Sequence, residues 1–235
     1  IILFGSNSDF LVSLEKLYLN CLYNLDNVYA FNGNTTAFIE MEDGINEYGL
    51  AVGLTFIYPT IIKAGFNAGM IVRYLLEKCK TTDEALSFLQ SIPIASQQTL
   101  TIADRTGNIV VVECNCEEIE IIRPNKDGNF IVATNDFNSN KMKHYNNYEI
   151  DTWKAEERYF VAYNTLKNLK DNYSFDLIRD ILSGKYGFMC QYDRKNDADT
   201  VWSVIYDIRN NAIYRVEGNP KRKKFKLDTR LKLKS

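Results

Sequence analysis

What this chain lacks narrows it first. Its 235 residues include one histidine, His144. A Ser-His-Asp or Cys-His mechanism needs an imidazole as base, so either would rest on this residue alone. His144 lies in Asn138–Asn147, a polar stretch that reads as a solvated surface loop. If the chain is a hydrolase, its general base is expected to be another group. Four prolines and twelve glycines are too few for a disordered or low-complexity chain. No apolar run approaches the length of a membrane span, and no repeat recurs at a fixed period. No phosphate loop or dinucleotide glycine fingerprint is present, which removes the common nucleotide-binding readings. The first residue is Ile1, with no basic segment and apolar core of a signal peptide visible, so either the chain is processed or its beginning lies upstream.

The cysteines are few and unpaired in number. Five are scattered along the chain, which predicts reduced thiols and a cytoplasmic protein. Cys114 and Cys116 would share one face of a strand, but without a second cysteine pair or a second histidine no metal site is expected. The Lys- and Asn-rich composition is compatible with a bacterial source. Net charge is −2, so the basic tail from Lys221 to Ser235 stands out against a slightly acidic chain. Its single aromatic, Phe225, favours a solvated strand or extension over a nucleic-acid surface. We read residues 1–220 as one domain and 221–235 as a basic C-terminal extension.

The pattern that is present centres on Ala37–Phe56. Leu50, Val52, Leu54 and Phe56 alternate with Ala51, Gly53 and Thr55, the period of a strand with one bulky and one small-residue face. The small face suggests that another layer or a ligand approaches the backbone closely. A first β-like run precedes it, with Asp43-Gly44 and Asn46–Gly49 as turn chemistry between the two. Elsewhere Ile1–Phe4 reads as a short strand ended by Gly5–Asp9, and Asn32-Gly33-Asn34 as a turn. Helical spacing appears over Asn67–Lys78, and a capping box at Thr81–Glu84 opens a second helix. Thr99–Ala103 and Ile109–Cys114 form a hairpin, Glu118–Ile122 a strand, Asn125–Asn129 a turn and Phe130–Thr134 another strand. Trp153–Leu169 and Asp176–Leu182 are helical, the latter stopped by Gly184, and Val201–Tyr206 with Ile213–Val216 is a last hairpin. Tight turns between paired strands, with helices in separate runs, predict an α+β fold with largely antiparallel sheets.

Several segments together resemble one family: Leu3–Phe10, Gly44–Ala51, Ala133–Phe137, Glu156–Tyr159, Tyr186–Cys190 and the hairpin Thr200–Pro220. In order and spacing, over nearly the whole chain, they resemble the linear amide hydrolases of the N-terminal-nucleophile superfamily. That group includes choloylglycine hydrolases, penicillin V acylases and acyl-CoA:6-aminopenicillanic acid acyltransferases. The resemblance implies a four-layer αββα sandwich of two antiparallel sheets. It implies an N-terminal cysteine nucleophile whose own α-amino group is the base, and no cofactor. It also assigns roles. Asp9 would orient the nucleophile. Asn46 would lend a backbone amide to the oxyanion hole. Asn135 would complete that hole or hold the α-amino group, and Arg158 would pair with the aspartate.

This chain departs from the pattern twice. The nucleophile would lie upstream of Ile1, on a partner strand of the same hairpin, so the sandwich here lacks its first strand. Cys21 has no free amine and is not expected to replace it. Ser6 also stands where the family has an arginine. The leading expectation is hydrolysis of linear amides such as bile-salt conjugates, penicillin V or N-acyl amines. The alternatives are a catalytically silent relative that binds acylated amines, or acyl transfer through the same acyl-enzyme. The expected partner is a small acyl-amide, with no nucleic acid and no membrane; oligomeric state is left open, a homo-oligomer included.

Overall fold

The computed structural model describes residues 1–125, 128–150, 152–169, 172–232 and 234. Residues 126 and 127 of the expected Asn125–Asn129 turn lie outside the described residues, as do tail residues 233 and 235.

The chain opens with β1 (Leu3–Leu11), a short 3-10 turn and β2 (Leu19–Tyr23). Then come β3 (Phe31–Thr35), β4 (Asp43–Asn46) and β5 (Ala51–Phe56). Two helices follow, α1 (Ala68–Lys78) and α2 (Thr82–Leu89). Next are β6 (Gln98–Ala103), β7 (Ile109–Cys114) and β8 (Ile119–Ile122). Helices α3 (Ala155–Asn168) and α4 (Phe175–Leu182) precede β9 (Ala198–Asp207), β10 (Ala212–Glu217) and β11 (Lys226–Asp228). Strands β2 to β8 form a seven-stranded sheet in chain order, and a four-stranded sheet runs β1-β9-β10-β11. All the pairings between these strands are antiparallel.

Three apolar clusters hold four layers together. Ile71, Leu75 and Leu86 from α1 and α2 meet Val52 and Leu100 of the larger sheet and Leu50 just before β5. Phe4, Val204 and Tyr206 of the smaller sheet meet Ile45, Ala51 and Ala103 of the larger. Ala162 and Leu166 of α3 pack with Leu177 and Ile181 of α4 over the outer face of the smaller sheet. The result is an αββα sandwich in which helices cover both outer faces.

The alternation in β5 places its small face toward the other sheet. A Cβ on Gly53 would come within 2.7 Å of the Phe4 ring, so the absent side chain sets how closely the sheets approach. The helices follow their local signals. Asn67 caps α1 through Met70 N–H, and Thr81 caps α2 through Glu84 N–H. Helix α3 begins two residues later than its periodicity predicts, because Trp153 and Lys154 both adopt left-handed backbone, at φ 59° and 55°.

Turn-type residues misled the pattern in three places. Asn32-Gly33-Asn34 is not a turn but the middle of β3, and Asp43-Gly44 opens β4. Gly5–Asp9 does not end a strand but continues β1 in register with β9. The reason is a polar seam between the sheets. Asn34 donates to Asp43 Oδ1 at 2.6 Å, Trp202 Nε1 donates to Oδ2 at 2.7 Å, and the Tyr206 hydroxyl donates to Oδ1 at 2.5 Å. Gly44 lies where a Cβ would meet Leu76 Cδ1 at 2.6 Å and Asn32 O at 2.9 Å. Conversely, neither Ala37–Glu40 nor Phe130–Thr134 forms a strand. In the tail, Lys226–Asp228 pairs with β10, and Leu231 is buried in the inter-sheet cluster.

The seam gives stability a pH dependence. Burial pushes the Asp43 carboxyl up, against the pull of its three donors. A raised folded-state value means that the folded protein holds a proton that the unfolded chain has released. This contribution is complete below the ordinary carboxylate range and is lost as pH rises from about 4 through the raised value, at up to about 1.4 kcal/mol per pH unit. Urea midpoints measured from pH 4.5 to 8 should therefore show a smaller loss in Asp43→Asn than in the native protein. Parallel curves would contradict the assignment.

Candidate active site

Strand β1 is the outer strand of the four-stranded sheet, and its far end carries the candidate chemistry. Its register against β9 shifts between Ser8 and Asp9, so Ser8 faces Trp202 and Asp9 faces Thr200. Such an irregularity re-aims a side chain at the end of a strand. Asp9 is thereby directed at Arg158, one turn into α3, with Nη1 to Oδ2 at 3.1 Å. The two side chains are only 4% and 7% exposed.

The cluster is held from several sides. The Thr200 hydroxyl donates to Asp9 Oδ1 at 2.6 Å, and the Tyr192 hydroxyl donates to Oδ2 at 3.2 Å. Arg158 Nη2 donates to Asn135 Oδ1 at 2.6 Å, and Nε donates to the Trp153 carbonyl at 2.8 Å. The left-handed pair Trp153-Lys154 aims that carbonyl, which also accepts from Tyr192 at 3.0 Å. Backbone held in this region costs about 1–3 kcal/mol per residue and is found at sites where surrounding contacts enforce it. Asn135 in turn donates through Nδ2 to the Phe56 carbonyl at 2.9 Å, which anchors the segment after Phe130 to the end of β5.

Burial pushes the Asp9 carboxyl up, opposed by the Arg158 guanidinium and by the Thr200 and Tyr192 hydroxyls. An ionised carboxylate offers about four acceptor positions; Arg158 and Thr200 occupy two on Asp9, and the single Tyr192 proton is shared between Oδ2 and the Trp153 carbonyl. One position therefore remains for a further donor. The Asn135 amide likewise has a second N–H beyond the one on Phe56.

These groups open onto a cavity of about 920 Å³. Its walls are β1, the facing strands β5 and β6, helices α3 and α4, and the segment from Asn129 to Asn135. Ser6 and Thr55 line it, and so does Thr134, whose buried hydroxyl has no partner among the described residues. A second, shallower groove runs along the outer face of α3.

Of the four residues singled out in sequence, Asp9, Asn135 and Arg158 come together. Asn46 does not. It is fully buried at the end of β4, where Nδ2 donates to the carbonyls of Leu76 and Cys79 at 3.0 and 2.7 Å. Its Oδ1 accepts from Tyr48 and Leu50, and its own backbone N–H donates to Leu50 O. It ties the end of α1 to the β4–β5 turn, away from the cavity walls. Thr200 opens the last of the segments that carry the resemblance, but only the pairing of β1 with β9 brings it to Asp9, and nothing local marks Tyr192. Thr55 lay on the small-residue face of β5, which was the available signal.

His144 is exposed, in a short 3-10 turn against Tyr145. All five cysteines are free, and Cys21 lies on β2. No group of metal-ligating side chains forms among the described residues. No helix among them is long and apolar enough to cross a membrane.

Solved structures share this architecture at low identity. An N-acylethanolamine-hydrolyzing acid amidase ortholog from Caenorhabditis elegans aligns with a TM-score of 0.64 at 19% identity, over 88% of this chain and 88% of that one. A mutant conjugated bile acid hydrolase from Clostridium perfringens gives 0.56 at 16%, over 99% and 94%. A penicillin V acylase from Agrobacterium tumefaciens gives 0.56 at 14%, over 92% and 78%. These likenesses establish the fold, that of the N-terminal-nucleophile hydrolases. No curated protein matches the sequence. The profile of one family matches residues 2–222, almost the whole sandwich with its cluster and cavity. On that match the chain belongs to the acyl-coenzyme A:6-aminopenicillanic acid acyl-transferase family.

Proposed function

We propose that this protein cleaves linear amide C–N bonds, with a cysteine that precedes Ile1 in the complete chain as nucleophile. The observation that carries this reading is the buried Asp9–Arg158–Asn135 cluster at the end of an outer strand, open to a large cavity. A strand preceding β1 would run antiparallel along its outer edge, between α4 and the small face of β5, and would fill the part of the cavity between those walls. Its first residue would then lie beside Asp9.

The chemistry follows from the groups at hand. The α-amino group of that cysteine takes the thiol proton, and Asp9 uses its remaining acceptor position to hold the amino group in place. The sulfur attacks the amide carbonyl carbon. The free N–H of Asn135 donates to the oxyanion as it forms. The C–N bond breaks, the amine leaves with the proton, and water hydrolyses the thioester. No histidine is required, which suits a chain whose only one is remote.

A second reading has specific support, since the matching family is named for acyl transfer. The same thioester captured by an amine instead of water gives a new amide. One assay separates the two. The protein from the complete gene is incubated with penicillin V, a bile-salt conjugate and an N-acylethanolamine, with and without an added amine. Released amine and acyl products are then resolved by mass spectrometry. Hydrolysis predicts free acid in both conditions; transfer predicts a new amide when amine is present. No amine released from any of the three would count against both.

A further inference from the structure

The cavity wall carries an excess of one charge. Its charged side chains among the described residues are Asp9, Glu40, Glu42 and Arg158. Arg158 is already committed to Asp9, Asn135 and the Trp153 carbonyl. The two glutamates have no cationic partner among the described residues. Glu40 accepts only from Asn67 Nδ2, at 2.6 Å.

Glu42 is the better placed of the two. It precedes Asp43 of β4, and its Oε1 is fixed by the backbone N–H and hydroxyl of Thr36, at 2.9 and 2.6 Å. Those bonds hold the carboxyl group in one orientation; burial pushes its pKa up, against the pull of the Thr36 donors, and a bound cation would favour the charged form. Its Oε2 receives a single long bond, 3.4 Å from the hydroxyl of Ser8, the neighbour of Asp9 in β1. Oε2 is therefore an incompletely used acceptor, one residue along the strand from the reactive cluster. The nearby wall residue Ser6 is neutral and supplies no cation. The wall also carries Phe56, Tyr58 and Trp153. An amide with an apolar acyl half would place that half there and its amine half toward the acidic side.

We propose that Glu42 selects amides whose amine half carries a second, cationic nitrogen, as in a mono-acylated diamine. This rests on the amide-hydrolase reading for its orientation of the substrate. In a partly desolvated cavity a directed carboxylate attracts an ammonium and repels a carboxylate or sulfonate at the same position. The discrimination expected for one such contact is about tenfold against a neutral isostere.

The test uses three dodecanoyl amides of matched length: those of 1,4-diaminobutane, butylamine and 4-aminobutanoate. Binding to the full-length protein is measured by calorimetry, and amine release is followed separately. The cationic amide should bind about tenfold tighter than the neutral one, and the anionic amide should bind weakest. Glu42→Gln, verified as folded by its melting curve, should bring the cationic-to-neutral ratio close to one. Glu42→Asp, which keeps the charge, should retain part of it. Equal affinities, a preference for the anion, binding of none of the three, or an unchanged ratio in Glu42→Gln would overturn the proposal. Ordered binding without release of any amine would leave charge selection standing and overturn the hydrolase reading instead.

Discussion

Arg158→Met should lower the unfolding free energy by about 3 kcal/mol and reduce turnover by about a thousandfold. The stability loss follows from burial: removing one partner of a desolvated pair leaves the other uncompensated, at about 3–5 kcal/mol. The lower end applies because Asp9 can take up a proton, a form that burial already favours. The deficit should therefore grow with pH, since the folded variant must keep a proton that the unfolded chain releases. The activity loss has two sources. A protonated Asp9 no longer attracts a neighbouring ammonium, and Asn135 loses the 2.6 Å bond that orients its amide toward the cavity. Denaturant melts at pH 5 and 8, with amine release measured on the same samples, test both parts. The double variant Asp9→Asn/Arg158→Met, which removes both charges, should recover most of the stability and none of the activity. A stable and active Arg158→Met would refute the role given to the pair.

Asn46→Ala should do the reverse, costing about 4 kcal/mol of stability while leaving the turnover of folded molecules within about threefold. Its side chain satisfies three buried backbone groups, the carbonyls of Leu76 and Cys79 and the amide of Leu50, and the half-buried amide of Tyr48. Each orphaned group costs about 1–3 kcal/mol, reduced by local relaxation. Melting temperature and kcat, measured well below the transition, separate the two effects. A thousandfold loss of kcat with little change in stability would place the Asn46 side chain in the reaction.

Asn46 also shows where sequence reading reached its limit. The segment Gly44–Ala51 marks its place in the fold correctly, since the β4–β5 turn does follow Asn46. Periodicity says which face of β5 is small but not which residue of the region reaches the cavity. Thr55 does and Asn46 does not. The helices were legible because Asn67, Thr81 and Gly184 act locally, through caps and a left-handed stop at φ 74°. Strands β3 and β4 were not, because Asn32, Gly33, Asn34, Asp43 and Gly44 are turn formers in a local window. Their use here is set by partners more than 150 residues away, Trp202 and Tyr206. The same holds for the cluster: Asp9, Asn135 and Arg158 could be named from motifs, whereas Thr200 meets Asp9 only once β1 lies against β9, and Tyr192 reaches it from the segment before β9. Phe130–Thr134 has strand composition but forms no strand, and its residues line the cavity instead.

The most direct test of the central claim is the intact mass and N-terminal sequence of the protein expressed from its complete gene. The resemblance to the linear amide hydrolases places the nucleophile about ten to fifteen residues before Ile1. The account predicts a mature chain that begins with cysteine at that distance, and loss of turnover when that cysteine is replaced by alanine. A mature chain whose first residue is not a nucleophile, or an alanine variant that still releases amine, would contradict it.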